Sequence, residues 1–320
     1  MNRLLIVILI LLTNKLVNAQ KIDHLVSYRE ISSNSYFRFN YENDYFAATD
    51  ENYTQGYNLE VVLKKLEKNP INKLFVKPKN AITKYGLAIE HIGFTPNNYV
   101  SKDIQFNDRP FAAAIMLKSF IISTNEKKKS RLTSSFNFGL IGPGAFGREM
   151  QVKIHEWTDN KIPGGWRNQI KNDVVVNYEI GFEKQIANVN NIVSLQLNSN
   201  LKIGTLFTHA TVGFNTTFGI IDSPFSAAKR RKRNFRFYAY FQPLASIIAY
   251  DATLQGGLFN NSSPYTITSS DLERLTVQYN YGLVLKSKTL YFEYSRSAIT
   301  REFKTGNSAK FGGIRIGFTF

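Results

Sequence analysis

Twelve segments of this chain, spread from residue 34 to the last residue, alternate apolar and polar side chains with a period of two. Alternation of that kind is the mark of a β-strand with one face in hydrocarbon and the other in a polar setting. It is clearest where Ala210, Val212, Phe214 and Phe218 stand against Thr211, Gly213, Asn215 and Thr217. Val277, Tyr279, Tyr281, Leu283 and Leu285 face away from Gln278, Asn280, Gly282 and Lys286 in the same manner. The last segment sets Ile314, Ile316, Phe318 and Phe320 opposite Gly313, Arg315, Gly317 and Thr319, and ends the chain on an aromatic residue. The pattern predicts strands near 34–43, 54–64, 84–93, 111–123, 131–141, 173–185, 192–203, 210–220, 234–249, 274–286, 289–299 and 310–320.

Two architectures can use such strands. A soluble sandwich would have to bury most of the large apolar side chains in one core. This chain carries 25 Phe and 17 Tyr, yet its mean hydropathy is only −0.23. A closed barrel reaches that average by turning an apolar band to lipid and a polar face to its lumen. An even strand count and strands of about ten residues fit the same solution. The expected fold is therefore all-β, a 12-stranded antiparallel transmembrane β-barrel forming one domain over residues 34–320.

The first residues support export. Arg3 precedes an apolar run from Leu4 to Leu12, and Val17-Asn18-Ala19 offers small residues for cleavage, so residues 1–19 read as a signal peptide. Residues 20–33 form a leader before the first strand. No later stretch is long and apolar enough for a transmembrane helix. The chain has no cysteine, which excludes a disulfide framework. Its net charge of +16 includes two charges, Arg3 and Lys15, that leave with the signal. A basic balance can serve nucleic acid, anionic lipid or solubility; the signal peptide argues against nucleic acid.

Strand parity assigns sides. With both termini in the periplasm, the connections 44–53, 94–110, 142–172, 204–209, 250–273 and 300–309 open outward. The basic clusters Lys127-Lys128-Lys129 and Lys229-Arg230-Arg231-Lys232-Arg233 then fall on the periplasmic side. They either meet anionic head groups of the inner leaflet or are simply solvated.

The outward loops hold the residues capable of chemistry. The first hairpin carries Glu42-Asn43-Asp44 and Tyr53-Thr54-Gln55-Gly56. Alternation places Phe37, Phe39 and Tyr41 on one face and Arg38, Asn40, Glu42 and Asp44 on the other, with Thr54 on the polar face of the second strand. The third loop includes residues 147–157, which read as a short helix. Gln151 and His155, four apart, share one helical face. Met150, Ile154 and Trp157 share another, suited to packing on the barrel wall. The remaining histidines are His24 in the leader, His91 on the lipid-facing side near a strand end, and His209 in a short outer connection.

Asn43, Asp44, Thr54 and His155 thus gather at one end of the barrel. Carboxylate and carbonyl oxygens are the hard ligands calcium prefers. A bound cation can polarise an ester carbonyl, and a neutral imidazole can take a proton from water. Together they suit an esterase that needs no covalent nucleophile. There is no G-x-S-x-G elbow, no histidine pair at zinc spacing, and no P-loop lysine after Gly142-Pro143-Gly144.

These spaced motifs resemble the outer-membrane lipid A 3′-O-deacylase family over nearly the whole mature chain. Glu42-Asn43-Asp44, Thr49-Asp50 and Tyr53-Thr54-Gln55-Gly56 resemble its opening motif. Phe94-Thr95-Pro96 and Asp108-Arg109-Pro110-Phe111-Ala112 resemble its second, although Phe111 replaces the usual Tyr and Ala113 the usual Gly. Gly142-Pro143, Gly147, Gln151, His155, Gly165-Trp166 and Gln169 match the third, and Arg301-Glu302-Phe303 with Phe311-Gly312 the end. The resemblance implies a site between the inner barrel wall and a helix from an outer loop, calcium as cofactor, and hydrolysis of the 3′ acyloxyacyl ester of lipid A. It implies Asn43 and Asp44 at the calcium site, His155 as general base, and Thr54 and Gln151 beside it. The family also uses an acidic residue a little beyond the histidine; here Glu156 is adjacent and Lys161 holds the later position. The expected partners are lipopolysaccharide and outer-membrane lipids, around a monomer whose site faces outward.

Two other readings remain. An outer-membrane phospholipase A would need a serine two residues after a strand histidine, and none of the four histidines has one. A non-enzymatic barrel would leave the Asn-Asp and Gln-x-x-x-His placements without a role.

Overall fold

The computed structural model describes residues 23–47, 52–225 and 234–320. The expected signal peptide and the basic cluster at 229–233 lie outside the described residues. Twelve antiparallel strands close into one barrel, each paired to its sequence neighbours and the first to the last. They are β1 (Tyr36–Asn43), β2 (Asn52–Val62), β3 (Ile82–Thr95), β4 (Ala112–Asn125), β5 (Ser130–Ile141) and β6 (Asp173–Val189). The circuit continues with β7 (Val193–Gly204), β8 (Phe207–Ile220), β9 (Phe235–Asp251), β10 (Leu275–Ser287), β11 (Leu290–Ile299) and β12 (Ala309–Thr319). Closure leaves no open sheet edge, the condition for strands in hydrocarbon. No helix among the described residues is long and apolar enough to cross a membrane.

Alternation sorts the wall into two faces. Phe37, Leu59, Ile89, Leu117, Phe138 and Val212 are exposed on the outward face. The inward face is polar and buried. Arg315 bridges Glu42 and Glu293, Arg38 pairs with Glu60 at 2.9 Å, and Lys118 lies 3.6 Å from both Glu90 and Glu179.

The leader plugs this lumen. Ser27 Oγ donates to Glu183 at 2.6 Å, Tyr28 donates to Gln242 at 2.9 Å and stacks on Tyr240, and Arg29 pairs with Glu293 at 2.9 Å. Arg38 in turn donates to the carbonyls of Arg29 and His24. One expected placement is overturned: His209 lies within β8, not in an outer connection, and is buried opposite Lys202. The strand starts at Phe207 because Leu206 and Phe207 donate their backbone N–H groups to Asn177 Oδ1, which extends the wall.

Candidate active site

The connection between β5 and β6 folds into a helix, α1 (Gly147–Trp157), over the residues the spacing predicts. The face it turns to the wall is not the one expected. Gly147, Gln151 and His155 are its buried residues, whereas Trp157 is 82% exposed. The reason is steric and polar together. A Cβ at residue 147 would sit 2.4 Å from the Ala113 methyl and 2.7 Å from the Trp166 ring, so glycine lets the helix touch the wall. Trp166, fully buried, then donates its indole N–H to Gln151 Oε1 at 2.6 Å and holds that face down. Met150 and Ile154, on the face expected to pack, are only half-buried. Ala113 shares a strand face with Ile115 and exposed Leu117, so α1 lies against the outside of the barrel rather than over its lumen. The two departures from the family pattern are absorbed here, since Phe111 packs on Trp166 and Ala113 meets Gly147.

The wall beneath α1 is shaped by a β-bulge. The register of β2 on β3 shifts between Tyr53 and Gln55. Tyr53 turns inward, where its hydroxyl donates to Glu42, while Thr54 and Gln55 both turn outward. Thr54 was expected on the polar inner face; the extra residue of the bulge moves it to the other side. There its hydroxyl meets Thr95 Oγ1 at 2.6 Å and Gln151 Nε2 at 3.4 Å. Asn43 closes the group by donating to the Thr54 carbonyl and accepting from the Tyr45 N–H at 2.7 Å. Asp44 does not continue the alternation of β1. It opens the 3-10 turn Asp44–Ala47 and is 2% exposed.

His155 is oriented by the backbone. Its Nδ1 lies 2.7 Å from the Lys161 carbonyl, and Tyr99 meets the ring edge-on with centroids 5.3 Å apart. A carbonyl can only accept, so a neutral ring carries its proton on Nδ1 and a free lone pair on Nε2. Lys161 thus contributes its main chain to the orientation of the ring. Glu156 is turned to solvent beside Lys153 at 3.3 Å.

Gln55 was missed in the sequence reading. It is wholly buried, and neither polar atom of its carboxamide has a hydrogen-bond partner. Its outward parity makes it the lateral neighbour of Asn43, one step beyond the Tyr41–Tyr57 pair. His91 shares this face and is covered by the turn before α1, with Nε2 2.9 Å from the Ala145 carbonyl. The signal for Gln55 was its place in the Tyr53-Thr54-Gln55-Gly56 motif, but strict alternation gave no reason to look for a bulge.

Among the described residues no three His, Cys, Asp or Glu side chains cluster as a metal site. The oxygen donors near the bulge among the described residues are one carboxylate, Asp44, with the amide oxygens of Asn43 and Gln55; Thr49 and Asp50 of the opening motif lie outside the described residues. That set suits calcium, a hard cation that takes carbonyl and carboxylate oxygens in loose geometry. The buried Gln55 oxygen lacks a partner within the protein, as a site awaiting a cation would leave it.

The fold and this cleft define a class: a transmembrane β-barrel with a filled lumen and a polar site held against its outer wall by a loop helix. The chain belongs to the family described as Outer membrane protein LpxR, whose match spans residues 4–320. It is a bacterial outer-membrane protein and a lipid A deacylase in the general sense of that family. Its fold is similar to that of LpxR from Salmonella typhimurium, with a TM-score of 0.73 at 18% identity, covering 89% of this chain and 100% of that one. The β domain of the Bordetella autotransporter Brka is also similar, with a TM-score of 0.47 at 7% identity, covering 89% and 99%. No curated protein matches the chain.

Proposed function

We propose that the protein is a calcium-dependent esterase that removes the 3′-linked acyloxyacyl chain of lipid A by histidine-activated water, with its site facing outward. The observation that carries this reading is the orientation of His155: the Nδ1 contact with the Lys161 carbonyl leaves Nε2 as a base on the buried face of α1, one turn from Gln151.

His155 Nε2 takes a proton from water as the water oxygen bonds to the ester carbonyl carbon. The same imidazolium returns the proton to the 3′ oxygen as the carbon–oxygen bond breaks, releasing a free 3-acyloxy acid and a 3′ hydroxyl. Gln151, fixed through Trp166, and Thr54, fixed through Thr95, hold the water and the ester against the wall. Asn43 and Asp44, with Gln55, would hold calcium. When bound, calcium supplies Lewis-acid polarisation of the carbonyl and stabilises the charge that develops on its oxygen.

The plugged lumen argues against a channel, since Arg29, Tyr28 and Ser27 are bonded across its interior. The decisive test is the mass spectrum of lipid A from cells with and without the protein. Loss of one acyloxyacyl unit supports the reading, and fatty acid released from phospholipid instead overturns it. Chelation should abolish activity and calcium restore it, with magnesium a poor substitute because of its strict octahedral demand. Full turnover in excess chelator would remove the cation from the mechanism.

A further inference from the structure

The connection between β2 and β3 does not hang below the barrel. It runs through two 3-10 turns, Lys64–Lys68 and Pro70–Leu74, and lies back along the outer wall. Phe75 is buried with its ring 6.3 Å from that of Tyr178, whose hydroxyl donates to the Leu74 carbonyl at 3.1 Å. Tyr178 shares the outward face of β6 with exposed Val174, Val176 and Phe182. Lys77 lies over the ring of outward-facing Tyr85, 5.3 Å from its centroid. Beneath this segment Ile121 and Ser134, also of outward parity, are completely covered. Leu74 and Val76 are exposed at 58% and 51%, beside Lys73, Lys77 and Lys79. Irregular backbone facing lipid needs polar partners, which the head-group layer supplies and hydrocarbon does not.

A cavity of about 520 Å³ opens between this segment and the ends of β4, β5 and β6, at the end of the barrel opposite α1. Lys79, Lys128 and Lys184 line it, over a floor that includes Leu132 and Phe182. None of its lining residues is a carboxylate. Arg131, at its edge, shares the inward face with Glu183. Its polar lining includes Ser123, and its apolar residues belong to the lipid-facing side of the wall. Lys79, Lys128 and Lys184, the last with its ammonium bonded to the Lys128 carbonyl, stand beside an apolar floor and complement a phosphate joined to acyl chains, and no carboxylate in that lining pairs with a zwitterion's choline or ethanolamine.

We propose that this cavity is a head-group site for one anionic glycerophospholipid of the periplasmic leaflet, with the 63–81 connection as its clamp. The lipid phosphate sits among Lys79, Lys128 and Lys184, and its chains run along Leu132 and Phe182. The site is remote from α1 and independent of the hydrolase reading.

Native mass spectrometry of the delipidated full-length barrel in detergent tests it. Phosphatidylglycerol, phosphatidylcholine and inorganic phosphate are added separately and in competition. One phosphatidylglycerol should remain bound per barrel at about tenfold preference over phosphatidylcholine, and equimolar phosphate should not displace it. A Lys79→Gln/Lys128→Gln/Lys184→Gln barrel should lose at least five-sixths of that preference. A Lys102→Gln/Lys304→Gln/Lys310→Gln barrel, with the same change in charge outside both the cavity and the clamp, should keep it. Heat-modifiable migration establishes that each variant is folded. Equal retention of both lipids, displacement by phosphate, or equal loss in the two triple variants would each overturn the proposal.

Discussion

Two regions of this barrel bury polar side chains, and they do so in opposite ways. In the lumen, charge meets charge: Arg315 with Glu42 and Glu293, Arg29 with Glu293, and Arg38 with Glu60. Under α1, the polar groups are held mostly by main chain and neutral side chains. His155 rests on a carbonyl, Gln151 on an indole N–H, and Gln55 on nothing. A saturated ion pair has spent its capacity on the fold, whereas a lone pair fixed by a backbone contact is free for a substrate. The difference separates polar residues that close a barrel from polar residues that can act.

The sharpest way to break this comparison is to change the oriented base. His155→Gln should lower turnover by roughly two to four orders of magnitude, because a carboxamide cannot accept water's proton. Folding should be untouched, since α1 is held through Gly147, Gln151 and Trp166. An active His155→Gln barrel, read by release of acyloxy acid, would place the chemistry elsewhere.

The opposite outcome is expected in the lumen. Glu293 accepts from Arg29, Arg315, Tyr240 and Tyr291, and is completely buried. Glu293→Ala leaves two guanidinium groups without their shared partner, which costs on the order of 3–5 kcal/mol. The lowered urea midpoint of heat-modifiable migration reads that loss. Activity per folded barrel should stay near normal, and a dead but stable variant would erase the distinction between the two regions.

How far the sequence carried the reading follows from where strict alternation holds. All twelve strands were legible to within a few residues, because each wall residue faces either lipid or a polar lumen. The helix was legible from its four-residue spacing, and its extent from Gly147 to Trp157 is as expected. What escaped depended on single exceptions. The bulge at Thr54 reverses a face without changing composition, so Gln55 stayed hidden and Thr54 was placed on the wrong side. The face of α1 was misjudged because apolar content points to Trp157, whereas the contact is set by a missing Cβ at Gly147. The leader gave no periodic signal at all, since Ser27, Tyr28 and Arg29 are matched to partners more than 150 residues away.

Gln55 tests the comparison at a smaller scale. Gln55→Leu removes a buried amide that has no partner, so stability should change by less than about 1 kcal/mol. If its oxygen serves the cation, the calcium concentration for half-maximal activity should rise roughly tenfold, with maximal turnover little changed. A large loss of stability would show instead that the amide holds the wall together, as a lumen residue does.

The smallest effect concerns His24, which lies in the leader outside the strands. Burial lowers its pKa well below the usual imidazole range, and the nearby charges of Arg315, Lys118, Arg29 and Arg38 lower it further. Glu90, 3.8 Å away, opposes that shift without reversing it. The folded barrel therefore holds His24 neutral, while a released leader binds a proton more readily. With the folded pKa below the unfolded one, the stabilisation is complete above the ordinary imidazole value and is lost as pH falls below it. The loss is up to about 1.4 kcal/mol for each pH unit until the lowered value is reached. Lowering the pH from 7.5 toward 5 should loosen the plug and raise the frequency of conductance steps across a planar bilayer. A His24→Gln barrel carries no proton to gain and should show the same frequency at both values. If wild type and variant respond alike to acid, the plug is governed by the lumen carboxylates and not by the leader.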